Sequence, residues 1–186
     1  MNTIAGSREP GAAPDRPGTT AGKGSVRRAA SSVTVCSLAA HGFLRGMPQE
    51  MLAELVPAAS LVEIPAGCRL FEDGGYATHF WLIRSGSVAL DLHVPRRGWM
   101  VIETLGLGEV VGWSWLFPPY EWSFGAVAVQ PTEAFQFDAV AVRQRCDDTP
   151  ALGYQLTRRF LAVLASRLQA SRMRLIDQCA PPETWP

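Results

Sequence analysis

The stretch Phe80-Trp81-Leu82-Ile83-Arg84-Ser85-Gly86-Ser87-Val88-Ala89-Leu90-Asp91-Leu92 decides the fold class. Two apolar runs of strand length flank Arg84-Ser85-Gly86, where Gly supplies the positive φ of a tight turn. The spacing predicts a β-hairpin. The same grammar extends outward. Leu61-Val62-Glu63-Ile64 is ended by Pro65-Ala66-Gly67, and Arg69-Leu70-Phe71 by Asp73-Gly74-Gly75. Met100-Val101-Ile102-Glu103-Thr104-Leu105 follows the turn at residues 95–98, and Val127-Ala128-Val129 and Ala134-Phe135-Gln136-Phe137 close the series. Short strands with turn signals between them predict a mainly β protein, an antiparallel roll of the jelly-roll type, carrying flanking helices.

Residues 1–36 are rich in Gly, Ala, Pro, Ser and Thr and read as a disordered tail. The tail is basic, with Arg8, Arg16, Lys23, Arg27 and Arg28 against Glu9 and Asp15. Its Arg27-Arg28-Ala29-Ala30-Ser31 string looks like a basophilic kinase site, although such strings are common in solvated linkers. The folded body is expected over 37–150, opening with helical residues 37–58. There Pro48 suits a first helical turn, and Met51, Leu52, Leu55 and Val56 form one apolar face. Residues 151–178 read as one long helix with Leu152, Leu156, Phe160, Val163, Leu164, Leu168 and Leu175 along one apolar stripe. Leu161, Leu168 and Leu175 recur at sevens with Leu164 between them, so a homodimer seam is expected there. Arg158, Arg159, Arg167, Arg172 and Arg174 read as a solvated basic face, and residues 179–186 as a second tail.

The chain has 186 residues, 47% hydrophobic and 18% charged, with zero net charge, so nothing draws it as a whole to nucleic acid or anionic membrane. Cys36, Cys68, Cys146 and Cys179 are scattered, as reduced thiols are. No run is long enough to span a membrane, and no secretory h-region follows the N-terminus, so the cytoplasm is the expected location. His41, His79 and His93 lie far apart; only His79 and His93 would meet, across the predicted hairpin. A cupin-type metal enzyme is thereby a weak alternative. No nucleophile–base pair or phosphate-cradling loop occurs, so no catalysis and no cofactor are expected.

Helix, β-roll and long helix together resemble the cyclic-nucleotide-binding domain of the catabolite activator and fumarate–nitrate regulator superfamily. The resemblance rests on Phe43-Leu44-Arg45-Gly46-Met47 at the helical entry and on Ile64-Pro65-Ala66-Gly67 with Leu70-Phe71 and Gly74. Residues 80–88 and Leu107-Gly108-Glu109-Val110-Val111-Gly112 carry the rest of it. It covers about residues 41–178. In that family a winged helix-turn-helix follows the long helix, and the few residues after 177 are too short for one, so sequence-specific DNA binding by this chain is not expected. A separate DNA-binding partner would be needed for a nucleotide-responsive transcription regulator, the second alternative.

The resemblance also implies a phosphate-binding cassette at residues 108–123. Gly108, Glu109 and Gly112 match it. The family's ribose-binding Glu falls on Trp113 and its phosphate-binding Arg on Ser123. No Lys, Arg or His lies between Arg97 and Arg143, whereas residues 112–124 hold Trp113, Trp115, Phe117, Tyr120, Trp122 and Phe124. A buried phosphate needs a cation, so cAMP or cGMP is not expected in the usual mode. Gly108, Glu109, Gly112, Trp113, Ser114, Trp115, Tyr120, Trp122 and Ser123 remain the candidate site for an unidentified small ligand. The aromatic rings either fill the cavity or line a pocket, or dock a protein partner. The expected function is that of a non-catalytic regulatory or sensor module.

Overall fold

A computed structural model of the chain describes residues 25–179. Strand β1 (Arg27–Arg28) precedes helix α1 (Val35–Ala39), a 3-10 turn (Gly42–Leu44), helix α2 (Gln49–Leu55) and another 3-10 turn (Val56–Ala58). Strands β2 (Ala59–Ile64), β3 (Arg69–Phe71), β4 (His79–Ser85), β5 (Val88–Val94) and β6 (Gly98–Leu105) follow. After β7 (Val110–Val111) comes a third 3-10 turn (Ser114–Leu116), then β8 (Gly125–Ala128) and β9 (Thr132–Asp138). Helices α3 (Ala139–Asp148) and α4 (Pro150–Cys179) come last among the described residues.

The strands form two antiparallel sheets, ordered β1-β2-β9-β4-β7 and β3-β8-β5-β6. This corrects the predicted hairpin. Strand β4 pairs with β9 and β7, whereas β5 pairs with β8 and β6, so the turn at Gly86 carries the chain from one sheet to the other. Turn chemistry is the same for a hairpin and for such a crossover. What decides between them is which strand takes the edge of β4, and β9 takes it with Phe80 opposite Phe137. Gly86 has φ +81°, and a Cβ there would run into the Pro131 carbonyl oxygen and Thr132, so no other residue fits.

Alternation along β4 directs successive side chains to opposite faces. Phe80 turns toward the helices, stacking on Phe137 at 4.7 Å and meeting Phe160 of α4 edge-on at 5.6 Å. Trp81 turns toward the second sheet and stacks on Phe71 at 5.5 Å. The first half of α4 is locked down through Leu152, Leu156 and Phe160, all buried.

Order also begins earlier than residue 37. Arg27 pairs opposite Glu63 and Arg28 opposite Val62, and α1 opens with a capping box in which Thr34 and Ser37 satisfy each other's backbone N–H groups. A two-residue strand carries no periodic signal, which is why composition alone placed it in a tail. Ser31 lies just past that strand and is exposed; residues 1–24 and 180–186 of the two expected tails lie outside the described residues. The helical region 37–58 is broken in the middle by Gly46, at φ +74°, and Pro48. Helix α3 was not anticipated. Its N-cap is Asp138, whose Oδ1 accepts hydrogen bonds from the Val140 and Ala141 N–H groups at 2.9 and 3.0 Å.

Candidate functional site

The aromatic segment is shared between the two faces of the roll. Trp115 is fully buried on the helix side, stacked on Phe80 at 4.8 Å and edge-on to Phe160 at 5.5 Å. Its indole N–H has no acceptor. Trp122 is buried on the other side, between the sheets. Its backbone is tied to the loop after β3: its N–H donates to Gly75 O and its carbonyl accepts from Gly74 N–H, both at 2.8 Å. Those bonds lay its indole face to face on Phe71, with centroids 3.8 Å apart and planes 15° apart.

Gly112 forms the opposite wall. It has φ +86°, and a Cβ there would stand 2.7 Å from Cη2 of Trp122, so the ring packs directly on backbone. The space left beside Phe71, Leu90, Trp113, Ser123 and Arg167 is about 20 Å³. That volume holds one water molecule, against roughly 300 Å³ or more for an ordinary small-molecule site. Larger hollows of about 480 Å³ beside Arg28, His79 and Gln136, and about 380 Å³ between Gly42, Gly108 and Ser166, open to solvent.

The remaining candidates divide between wall and surface. Trp113 is half-buried and Ser114 buried, both on the cavity wall. Ser123 lines the opening but is exposed. Tyr120 sits on the exposed side of the loop with φ +61°. Gly108 donates its N–H to Ile83 O at 2.9 Å, tying the cassette to β4. Glu109 is turned back on its own loop, where Oε2 accepts from Gly106 N–H at 2.7 Å.

The cassette has no cation of its own; the fold brings Arg143 to its Trp115 end and Arg167 to the cavity. Arg143 of α3 donates to the Trp115 carbonyl at 2.8 Å and covers the Tyr120 ring at 4.5 Å. Arg167 of α4 reaches the cavity wall itself, donating to Val110 O at 2.6 Å with Glu103 3.7 Å away. Burial pushes the Arg167 pKa below its ordinary value, against the opposing pull of Glu103 and Glu109. The basic face of α4 is therefore not simply solvated. Arg159 donates to Arg45 O at 3.2 Å and Arg174 to Ile102 O at 3.5 Å, so three arginines spaced by eight and seven fasten the helix to backbone carbonyls. The signal was present in that spacing, but only the packing of α4 shows what lies opposite.

Other arginines are engaged elsewhere. Arg69 grips the fully buried Asp91 with two bonds of 2.9 and 2.6 Å, and that hydrogen bonding raises its pKa. Arg84 pairs with Glu133 at 2.7 Å. His79 and His93 stand on strands of different sheets, so the hairpin contact expected of them does not form. No group of three or more His, Cys, Asp or Glu is placed to hold a metal among the described residues. On α4, Leu161, Leu168 and Leu175 are exposed and Leu164 is half-buried. No helix among the described residues is long and apolar enough to cross a membrane.

Residues 61–149 match the family model of the cyclic nucleotide-binding domain. A CRP-like cAMP-activated global transcriptional regulator of Mycobacterium tuberculosis is 26% identical over 140 residues. That alignment covers 75% of this chain, which spans only 61% of the relative's length. Among solved structures, a cyclic nucleotide-binding domain from Methylobacillus flagellatus superposes with a TM-score of 0.65 at 24% identity, over 75% of this chain and 78% of its own. The Thermus thermophilus catabolite activator protein superposes with a TM-score of 0.58 at 24% identity, over 72% of this chain and 61% of its own. Both share the fold.

Proposed function

We propose that this chain is a cytoplasmic, non-catalytic regulatory module of the cyclic nucleotide-binding type that does not hold cAMP or cGMP in the family's usual way. The observation that carries the reading is Trp122. Its ring fills the space between Phe71 and Gly112 and leaves about 20 Å³. The polar groups point the same way: Trp113 and Ser123 stand where the resemblance implies a ribose acceptor and a phosphate cation, and Glu109 caps its own loop. A phosphate entering this wall would meet one guanidinium, Arg167, already committed to Val110 O.

The module is proposed to act as a homodimer through α4. Leu161, Leu168 and Leu175 are 63%, 53% and 60% exposed, an apolar row on a helix whose other side is fastened to the roll. A signal is then a change in how α4 lies on the roll, prompted by an unidentified ligand or a docked protein partner.

Calorimetric titration with cAMP and cGMP tests the reading. The expected dissociation constants are weaker than about 100 μM, a binding free energy of no more than about 5.5 kcal/mol in magnitude. A micromolar or tighter constant for either nucleotide overturns it.

A further inference from the structure

Trp122 sits in the roll as a ligand would. A flat ring lies parallel on Phe71, 3.8 Å from it, with bare backbone at Gly112 on its far side. Arg167 lies at the wall of the same space. The Trp81 ring is 6.3 Å from that of Trp122, and its buried indole N–H has no acceptor. Resting on the proposed function above, we infer that this slot is a receptor for a flat aromatic carboxylate of about the size of an indole, which takes the place of the Trp122 ring and pairs its carboxylate with Arg167.

Each part of the ligand answers to a group in the wall. The slot is one ring thick, so the ligand is planar, and offset stacking on Phe71 favours an aromatic one. The single cation calls for a single anionic group. A guanidinium presents a planar fork that matches a carboxylate with two parallel hydrogen bonds. In its present state Arg167 has a neutral carbonyl at 2.6 Å and a carboxylate only at 3.7 Å. The guanidinium now makes one bond to a neutral carbonyl, whereas a ligand carboxylate offers it two parallel bonds and an opposite full charge, so the ligand displaces the Val110 carbonyl. A sugar phosphate lacks this fit, because Glu109, the acidic side chain of the cassette, is folded onto Gly106. Displacing the Trp122 side chain breaks its stack on Phe71, which the ligand's ring replaces, and the indole swings out past Glu121 and Ser123, both exposed. Because Arg167 also holds α4 on the roll, occupation of the slot releases one of the three arginine contacts along that helix.

The test is calorimetric titration of the full chain with 2-naphthoate and with neutral 2-naphthamide. Trp122→Ala removes the internal competitor and is expected to bind 2-naphthoate at least tenfold more tightly than the natural chain. Adding Arg167→Gln to it is expected to weaken 2-naphthoate at least tenfold and 2-naphthamide less than twofold. Trp122→Leu, which keeps an apolar contact with Phe71, serves as the second variant should the alanine form melt too low, and the same order of affinities is required of it. Lack of 2-naphthoate binding to both variants at millimolar concentration overturns the inference. So does equal binding of acid and amide, or indifference to Arg167→Gln. Silence of 2-naphthoate together with silence of cAMP removes this inference alone, whereas micromolar cAMP binding removes the parent reading.

Discussion

Replacing Trp115 separates the two halves of the aromatic segment. The side chain is fully buried, stacked on Phe80 at 4.8 Å and edge-on to Phe160 at 5.5 Å, so Trp115→Ala opens a cavity where sheet and α4 meet. A buried Trp→Ala change costs about 3–5 kcal/mol. For a domain of this size each kcal/mol shifts the melting temperature by roughly 2–4 °C, so a fall of about 6–20 °C is expected. Trp115→Phe keeps the stack and deletes an indole N–H that has no acceptor. Removing a buried unpaired donor recovers about 1–3 kcal/mol, which offsets the smaller ring's lost packing of about 1 kcal/mol. The phenylalanine variant should therefore melt within a few degrees of the natural chain. Scanning calorimetry with urea titration reads both. A loss under about 1 kcal/mol for the alanine form, or equal losses for the two variants, would refute the placement of this ring in the core.

Three further outcomes are expected. His41 accepts a hydrogen bond at Nδ1 from Phe43 N–H at 3.2 Å and places Nε2 3.0 Å from Ile83 O, which fits the neutral ring with Nε2 protonated. Burial holds its pKa below the ordinary 6.5, so the unfolded chain binds the extra proton first and stability falls as pH drops below about 6.5; urea midpoints from pH 7.5 to 5 should show this, with a flatter profile in His41→Gln. Asp91→Ala leaves the Arg69 guanidinium with the exposed Glu72, 3.7 Å away, as its ion-pair partner and should cost up to about 3 kcal/mol, while Arg69→Met with Asp91→Leu should recover most of that in a thermal-melt comparison. Leu161→Glu with Leu168→Glu places two charges in the exposed apolar row, and light scattering is expected to report a dimer for the natural chain, as proposed, and a monomer for the variant, with little change in melting of the roll.

The cassette was legible in its covalent part and not in its environment. Gly108, Gly112 and the run of rings could be placed in order along the chain, and the roll's strands emerged from turn residues and alternation. What could not be read was the partner of each side chain. Trp113 and Trp115, two residues apart, were bound to diverge, but only the stack on Phe80 shows that Trp115 belongs to the core and leaves Trp113 on the cavity wall. The turn at Gly86 is the same lesson on the scale of strands: its sequence serves equally for pairing β4 with β5 and for parting them.

Local chemistry was determined by the sequence itself: where strands begin and end, where backbone must take positive φ, which positions are apolar at period two or seven, and the lack of any cation along residues 98–142. These depend on residues a few places apart, and short-range sterics and hydrogen bonding settle them. Tertiary structure decided which rings face each other and which charges meet the cavity. Arg143 and Arg167 reach the cassette across 28 and 57 residues of chain, and Trp122 meets Phe71 only because loop bonds to Gly74 and Gly75 hold it there. Contacts of that range follow from the global packing of two sheets and a long helix, in which a side chain's role is set by what lies opposite it.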